Sequence, residues 1–426
     1  MKKIALAILA VLSIGAAPPR NVSLDTIARD YVHLTLEAGE HEPEYVDAYY
    51  GPPAWAAEAK AKPRSMALLR TEAHALRLRA EGLSAARLAP LERERRLALI
   101  GQLRAAETRL AMHAGEKFSF EDEAQGLFGV RPALAPLASF DPALSEIEHL
   151  VPGDGPLWQR VDNYNSRFAI AKDRLDPVMR AAIAECRRRT AAHIALPVAE
   201  KFTLEFVTKK PWGGYNYYKG KSTSLIQVNT DLPILISRAV DLGCHEGYPG
   251  HHVYNLLLEQ ELVEKRGWIE FTVYPLYSPQ SFIAEGSANF GIDLAFPGKE
   301  RALFEAQKLF PLAGLPPAEA PRYAALQAAI HKLAGARFTI ARNYLDARID
   351  RETALLLTQT YGLVSRERAE KSLEFTDHYR SYVINYGLGQ DMVRAAVTAA
   401  GPNAAAQWKA MQRILSEPTT PQNLRK

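Results

Sequence analysis

The sequence CHEGYPGHHVYN, residues 244–255, contains three of the eleven histidines of the chain together with a glutamate. It begins like the zinc-protease motif H-E-x-x-H, in which two histidines one helical turn apart bind zinc while the glutamate activates water. The position four residues after His245 is Pro249, however, which has no ligand atom. The segment therefore predicts a metal site only if its backbone departs from a regular helix.

A bulge at Pro249 and Gly250 would make a metal site possible. In an unbroken helix His245 and His251 point to different faces, and His252 lies about 10 Å further along the axis from His245. Proline removes a backbone donor and disfavours helical geometry at the preceding residue, and glycine permits unusual torsions. Two extra residues there would return His251 to the place of the second histidine. We therefore predict that His245 and His251 are ligands, and that His252 contributes to catalysis by orienting a ligand or facing the substrate.

Glu285 is the candidate for the third ligand that a catalytic zinc site needs beside an open position for water. It lies in SFIAEGSANFGID, 34 residues after His251, and three small residues follow it, which allow a second helix to approach closely. Asn289, Asp293 and Asp241 lie at helical-turn spacings from the predicted ligands and could orient a ligand histidine. A glutamate in a helix is more often solvated, and this alternative stays open.

The two motifs together resemble the signature of a known family. HEGYPGHH followed by AEGSANFG is similar to the pattern of a bacterial domain-of-unknown-function family of gluzincin-like zinc metallopeptidases, whose members are largely helical and often exported. The similarity extends to WGGYNYYKGKSTSLIQVNTDLP and HYRSYVINYGLGQDMVR, and it covers most of residues 200–400. The resemblance implies one zinc ion per chain, held by His245, His251 and Glu285. Glu246 would then be the general base, which takes a proton from the attacking water.

The oxyanion that forms during amide hydrolysis needs a hydrogen-bond donor in addition to the metal. The C-terminal stretch HYRSYVINYGLG offers four candidates, His378, Arg380, Tyr382 and Tyr386. We predict Tyr386, because the neighbouring glycines allow a substrate to approach closely. Tyrosines at helical spacing are also typical of a core face, so a structural role is the alternative.

Two features bear on how a peptide would bind. The predicted strand 224–229, upstream of the zinc helix, could pair through its edge with an extended peptide, or serve only as a sheet strand. Five basic residues could bind a terminal carboxylate: Arg337, Arg342, Arg348, Lys209 and Lys210. Such a contact would make the protein a carboxypeptidase or a dipeptidase, whereas solvated surface positions are the alternative.

Two other functions are compatible with the same residues. A zinc-dependent hydrolase of a non-peptide amide or ester would use the same activated water. A non-catalytic metal-binding protein is the second alternative, but a structural zinc site has no use for the carboxylate of Glu246 beside a ligand. We therefore predict a zinc metallopeptidase that acts on a peptide or peptide-like substrate.

The elements that position these residues are mainly helical. Apolar residues at helical spacing predict long amphipathic helices, among them 64–82, 88–115 and 156–194. Residues 201–231 are rich in β-branched and aromatic residues and predict two or three strands. The predicted fold class is a mainly α, multi-helical, zincin-like metallopeptidase body with one small β-sheet near the active site.

A Pro-rich stretch near residues 130–142 predicts a boundary between two regions of one compact unit. The N-terminal helical region would cover residues 20–140, and the zinc-binding catalytic region residues 141–426. Lysine and arginine number 52 against 48 aspartates and glutamates, a net charge of +4. So small an excess, without any nucleic-acid-binding motif in the sequence, does not indicate nucleic acid as a partner.

Residues 1–19, MKKIALAILAVLSIGAAPP, predict export. Two lysines, a short apolar run and small residues are typical of a secretory signal peptide, and the run is too short to span a bilayer comfortably. No cysteine follows it, so we expect a periplasmic or secreted protein without a lipid anchor or stable membrane insertion. Export permits a disulfide between Cys186 and Cys244. Their spacing does not show that they meet, and we expect two buried thiols.

Overall fold

Helices form most of the structure, a computed structural model that describes residues 23–210 and 212–425. The predicted signal peptide, residues 1–19, lies outside the described residues. The helices are, in chain order, α1 (Leu24–His41), α2 (Pro53–Ala61), α3 (Met66–Gly82), α4 (Pro90–His113), α5 (Phe120–Phe128), α6 (Asp141–Leu150), α7 (Leu157–Ser166), α8 (Lys172–Ala191), α9 (Ile236–Leu242), α10 (His251–Leu258), α11 (Pro279–Ala295), α12 (Glu300–Phe304), α13 (Phe310–Ala313), α14 (Ala320–His331), α15 (Ala336–Leu345), α16 (Arg351–Gly362), α17 (Arg366–Tyr379), α18 (Leu388–Thr398) and α19 (Ala404–Ser416). The mainly α, multi-helical class is confirmed.

Two small sheets accompany the helices in the described part of the chain. Their strands are β1 (Val46–Tyr49), β2 (Lys201–Val207), β3 (Gly214–Tyr218), β4 (Thr223–Asn229) and β5 (Val273–Pro275). In the three-stranded sheet β4 is central, parallel to β2 and antiparallel to β3. β1 and β5 pair antiparallel in a second sheet, which the sequence did not indicate because strands of 4 and 3 residues are too short to show alternation.

The central place of β4 corrects one prediction. Residues 224–229 have a hydrogen-bonded neighbour on both sides, so this strand has no free edge for an extended peptide. The outer strands of the sheet are β2 and β3. A peptide that adds to this sheet would therefore have to pair with one of those two.

The predicted helix 156–194 is divided into α7 and α8 by a short extended segment. The backbone N–H of Ile170 donates to the carbonyl of Ile234 at 2.8 Å, and the carbonyl of Phe168 accepts from the N–H of Ile236 at 2.9 Å. These bonds fasten the start of α8 to the start of α9. Because α9 leads directly into the histidine segment, these bonds help to position that segment.

A disulfide joins Cys186 of α8 to Cys244, and it corrects the expectation of two thiols. The two Cα atoms are 5.4 Å apart. They meet because α8 packs directly against the turn that contains Gly243: a Cβ atom added there would lie 3.2 Å from the backbone nitrogen of Ile183. A contact between residues 58 positions apart depends on helix packing, which spacing alone does not reveal.

One hydrophobic core cluster runs through the described chain, from Leu24 in α1 to Leu424 near the C-terminus. The predicted regions 20–140 and 141–426 share this core, and β1 of the first pairs with β5 of the second. The boundary near residue 140 stays a prediction. No helix among the described residues combines the length and the apolar character that crossing a bilayer requires.

Candidate metal centre

Three side chains converge at one point of a large cavity: His245, His251 and Glu285. One ligand atom of each lies within 4.8 Å of the other two. The Nε2 atoms of the two histidines are 3.1 Å apart. Nε2 of His245 lies 3.1 Å from Oε2 of Glu285, and Nε2 of His251 lies 3.7 Å from Oε1. The structure thus brings together the three residues predicted as ligands.

The spacing of this cluster fits a tetrahedral zinc ion. Ligand atoms about 2.0–2.1 Å from such an ion lie about 3.3 Å from one another, and the three observed distances bracket that value. Oε2 of Glu285 is also buried without a hydrogen-bond donor, so a cation would satisfy an otherwise unpaired acceptor. Two histidines and one glutamate are a ligand set of catalytic zinc sites.

Asn289 fixes the orientation and the tautomer of His245. Its amide nitrogen donates to the backbone carbonyl of Tyr386 at 2.7 Å, so its Oδ1 must face Nδ1 of His245, which lies 2.9 Å away. Nδ1 therefore carries the proton, and the lone pair of Nε2 points to the cluster. The other two candidates for this role bind arginines instead, Asp293 with Arg394 and Asp241 with Arg301.

The charges of Glu285 and His251 shift the pKa of each other's side chain. Burial raises the pKa of Glu285, but the positive charge of His251 and the close approach of both imidazoles outweigh this effect and hold that pKa well below its usual range. Burial lowers the pKa of His251, and the carboxylate of Glu285 outweighs this effect and raises the pKa to about 9. Glu285 thus attracts positive charge to this point, whether a proton or a metal ion.

The backbone departs from the α-helix where the sequence predicted a bulge. Gly243–Gly247 forms a π-helical turn, the Tyr248–Pro249 peptide bond is cis, and α10 begins at His251. The N–H of Gly250 donates to the carbonyl of Cys244 at 3.0 Å. A Cβ atom at position 250 would overlap the carbonyl oxygen of residue 245, so only glycine fits. Glycine is required here because of this close approach and not because of its φ angle, since the φ of −76° at Gly250 is one that any residue adopts.

Small residues allow α11 to carry Glu285 to the histidines. A Cβ atom at Gly286 would overlap the backbone of Gly389 in α18, as the small residues of this motif predicted. A Cβ atom at Gly291 would lie 2.7 Å from Cγ of Pro249. The helix that provides the third ligand is therefore packed tightly against both α18 and the histidine turn.

Glu246 lies beside the cluster and is almost fully buried, with 4% of its surface exposed. A Cβ atom at Gly214 would lie 2.9 Å from Oε1 of Glu246, so the backbone of β3 covers the carboxylate. The backbone carbonyl of Glu246 accepts from Asn216 at 2.6 Å. Burial raises the pKa of the carboxyl group, and the charges of His245 and His251 oppose that rise.

The two tyrosines of the C-terminal motif occupy different positions. The hydroxyl of Tyr382 donates to Oε1 of Glu285 at 2.8 Å and accepts from Ser281 at 3.1 Å, so it holds the carboxylate. Tyr386 lines the cavity, with its ring 6.3 Å from that of His245 and at 23° to it. Its hydroxyl has no hydrogen-bond partner among the described residues.

The other two candidates from this motif face away from the cluster. His378 is exposed and pairs with Glu44 at 2.5 Å. The guanidinium of Arg380 binds Glu123, at 2.7 Å, on α5. Neither His378 nor Arg380 lines the cavity.

His252 does not line the cavity, and its ring nitrogens contact none of the three predicted ligands, which corrects both parts of its predicted role. Its side chain is fully buried, and its two ring nitrogens lie 2.8 Å from Oγ of Ser224 and 3.1 Å from Oε2 of Glu200. Tyr248 donates to the same carboxylate oxygen at 2.5 Å. Successive helical residues point about 100° apart, so the turn of α10 that aims His251 at Glu285 aims His252 at the sheet.

The cavity has a volume of about 1400 Å³ and exposes the cluster, Glu246 and Tyr386. This exceeds the roughly 300–1,000 Å³ of pockets for single small ligands. Asp47 of β1 also lines it and accepts a hydrogen bond from the hydroxyl of Tyr215. Burial raises the pKa of Asp47 to about 7. The sequence did not single out Asp47, because it belongs to no motif and reaches the site only through the pairing of β1 with β5.

The predicted carboxylate-binding residues separate in the structure. Arg342 lies 3.8 Å from Glu121, and Arg348 pairs with Asp346 at 2.8 Å, both outside the cavity. Lys209 and Lys210 do not line the cavity either. Of these five residues, only Arg337 does.

No protein-family model and no curated protein matches the sequence. Among solved structures, the chain is similar to a "putative lipoprotein" from Colwellia psychrerythraea, with a TM-score of 0.53 and 14% identity over 84% of this chain. It spans 65% of the length of that protein, and the likeness shows a shared fold. An M32 carboxypeptidase from Deinococcus radiodurans R1 has a TM-score of 0.49 and 13% identity, over 94% of this chain and 92% of that one. A "putative lipoprotein of unknown function" from Shewanella oneidensis has a TM-score of 0.46 and 12% identity, over 85% of this chain and 76% of that one.

Proposed function

We propose that the protein is an exported, zinc-dependent metallopeptidase that hydrolyses peptide bonds with Glu246 as general base. The observation that carries the proposal is the convergence of His245, His251 and Glu285 beside that carboxylate, in a cavity open to a substrate. The chemistry that a zinc ion supplies in such a site is acidification of water and polarisation of a carbonyl group.

Glu246 transfers the proton in this proposal. Its carboxylate adjoins the cluster and is held between the histidine turn and the backbone of Gly214. It takes the proton from the attacking water and later delivers it to the leaving amine. The oxygen of water joins the carbonyl carbon, the C–N bond breaks, and both protons of water are accounted for in the two products.

Tyr386 donates to the oxyanion in this proposal. Its ring lies beside His245, and its hydroxyl has no competing partner among the described residues. A preorganised donor of this kind stabilises charge that develops in the transition state. Tyr382 cannot take the same role without releasing the carboxylate of Glu285.

The walls of the cavity favour a peptide over a small amide or ester. Residues 213–217 of the outer strand β3 and its preceding turn line it, and Trp212, Tyr215 and Tyr217 form a continuous aromatic wall with ring centroids 5.3 and 4.4 Å apart. An extended chain can lie along such a strand, with its side chains against the aromatic rings.

A non-catalytic metal-binding role does not account for the buried carboxylate of Glu246 beside the cluster.

Export is supported by two independent features. The N-terminal sequence has the pattern of a signal peptide. The disulfide between Cys186 and Cys244 is a bond that forms and persists in oxidising compartments such as the periplasm.

The test is a metal analysis followed by a cleavage profile. Protein purified without added metal should contain about one zinc per chain, and it should cleave members of a mixed peptide library. Chelation should abolish cleavage and added zinc should restore it. Zinc binding without cleavage of any peptide, amide or ester would support the metal-binding alternative and overturn the proposal.

A further inference from the structure

Arg337 of α15 is a cation without an anionic partner in the wall of the cavity. Among the described residues, no carboxylate lies within ion-pair distance of its guanidinium, and no group hydrogen-bonds to it. Its Nε atom is buried and unpaired. The guanidinium instead lies over two rings, 5.1 Å from the centre of Phe375 and 5.8 Å from that of Tyr386. Leaving such a group unpaired away from bulk water is costly unless something else satisfies it.

Two other arginines of the cavity wall, Arg301 and Arg238, have acidic partners. Arg301 pairs with Asp241 at 2.7 Å and with Glu305 at 2.8 Å. Arg238 also pairs with Asp241, at 3.3 Å. These pairs neutralise one side of the cavity, so the positive charge of Arg337 is available to a ligand.

Arg337 lies one aromatic ring away from the metal cluster. The ring of Tyr386 lies near both groups, with its centre 5.8 Å from the guanidinium and 6.3 Å from the centre of the His245 ring. The two segments are packed closely, because a Cβ atom at Gly387 would overlap the ring of Phe338, the residue after Arg337. One residue of an extended peptide spans about 3.3–3.6 Å. A group one or two residues beyond a scissile bond at the cluster can therefore reach the guanidinium.

We propose that Arg337 binds the C-terminal carboxylate of the peptide substrate, which makes the protein a carboxypeptidase that removes one or two residues. The planar guanidinium presents paired donors that match a carboxylate. The proposal rests on the metallopeptidase function proposed above and adds the class of substrate. The same carboxylate chemistry could come from an acidic side chain of an internal sequence, and the test separates the two sources.

The experiment compares three peptides of one parent sequence. The first has a free C-terminus, the second a C-terminal amide, and the third an amide with glutamate as the last residue. For the wild-type protein, kcat/KM should favour the free acid over the plain amide by about 100-fold, the effect expected for a buried charge pair. In Arg337→Met that ratio should fall to near one, and Arg337→Lys should restore part of it, because lysine keeps the charge without the paired donors.

Arg368 provides the matched control. It also lines the cavity and has no anionic partner among the described residues, but it lies on α17 about two turns before Phe375. Arg368→Met should keep the wild-type preference for the free acid. Zinc content should be the same in all variants, which separates loss of recognition from loss of the metal site.

Several results would overturn the proposal. If the wild type cleaves the free acid and the amide equally, the role of Arg337 is contradicted and the metallopeptidase function is not. The same holds if Arg368→Met loses the preference for the free acid and Arg337→Met keeps it. If the glutamate amide is cleaved as well as the free acid, and Arg337→Met loses both, the site recognises an acidic side chain instead. If zinc-loaded protein cleaves none of the three peptides and no peptide of the library, the peptidase function itself is contradicted. If Arg337→Met does not fold, the proposal is tested by the ratio of kcat/KM for the free acid to that for the amide, measured in the wild type and in Arg337→Lys.

Discussion

The Nε2 atoms of His245 and His251 lie 3.1 Å apart although six positions separate the two histidines in the sequence. A regular helix cannot produce this contact, because six steps of about 100° turn the side chains to different faces. The π-helical turn and the segment through Gly250 absorb the two extra residues. The metal site therefore depends on a backbone shape as much as on ligand chemistry.

The first prediction concerns the metal. Replacing His245, His251 or Glu285 with alanine should each lower zinc content sharply, because each removes one of three converging ligand atoms. The measurement is zinc per chain by elemental analysis of purified protein. His378→Ala is the control, since that histidine is exposed, pairs with Glu44 and does not line the cavity. Full occupancy in His251→Ala would show that another histidine is the ligand.

The second prediction concerns the base. Glu246→Gln keeps the size of the side chain and removes its ability to accept a proton, so turnover should fall by about 10²-fold or more while zinc stays bound. Steady-state hydrolysis of the best library peptide and metal analysis of the same sample measure the two effects. Near-normal hydrolysis in this variant would remove Glu246 from the mechanism.

The third prediction separates the two tyrosines. Tyr386→Phe should lower kcat by about 10²-fold with normal zinc content, as loss of an oxyanion donor does. Tyr382→Phe should instead weaken zinc binding by about 10–100-fold, because it removes the hydrogen bond that holds Glu285. Zinc titration with a chelator, together with kcat, distinguishes the outcomes. A normal kcat in Tyr386→Phe would favour the alternative in which Tyr386 is structural.

How far the sequence predicted the site can be seen from three residues. Pro249 and Gly250 predicted a bulge because they are the two residues that a helix tolerates least, and the structure has an interruption there. Glu285 could be found because small residues follow it. Local patterns of this kind can be recognised in one sequence.

What the sequence did not reveal depends on contacts between distant segments. Asp47 joins the cavity only because β1 pairs with β5, more than two hundred residues later. The position of His252 behind the cluster depends on Ser224 and Glu200, which lie on or beside the sheet. Cys186 meets Cys244 through the packing of α8. None of these partners has a fixed spacing from the residue it contacts.

The fourth prediction tests the close approach at the bulge. Any side chain at position 250 would overlap the carbonyl of His245, so Gly250→Ala and Gly250→Val should both displace His251 and weaken zinc binding. Gly82→Ala is the matched control, because a Cβ atom at Gly82 meets nothing within 4 Å. Zinc affinity and the helical circular dichroism signal should be measured together. Normal zinc affinity in Gly250→Val would contradict the dependence of the site on this backbone contact.

The last prediction concerns the disulfide. Protein isolated from an oxidising compartment should contain no free thiol after denaturation, because Cys186 and Cys244 are bonded to each other. Changing both cysteines to serine should lower the free energy of unfolding by about 2–4 kcal/mol, since the bond closes a long loop in the unfolded chain. The variant should also bind zinc less tightly, because Cys244 precedes His245 in the π-helical turn and the bond ties that turn to α8. Urea denaturation with and without zinc measures both effects. Two titratable thiols in the exported protein, or unchanged stability in the double variant, would show that the turn is held by packing alone.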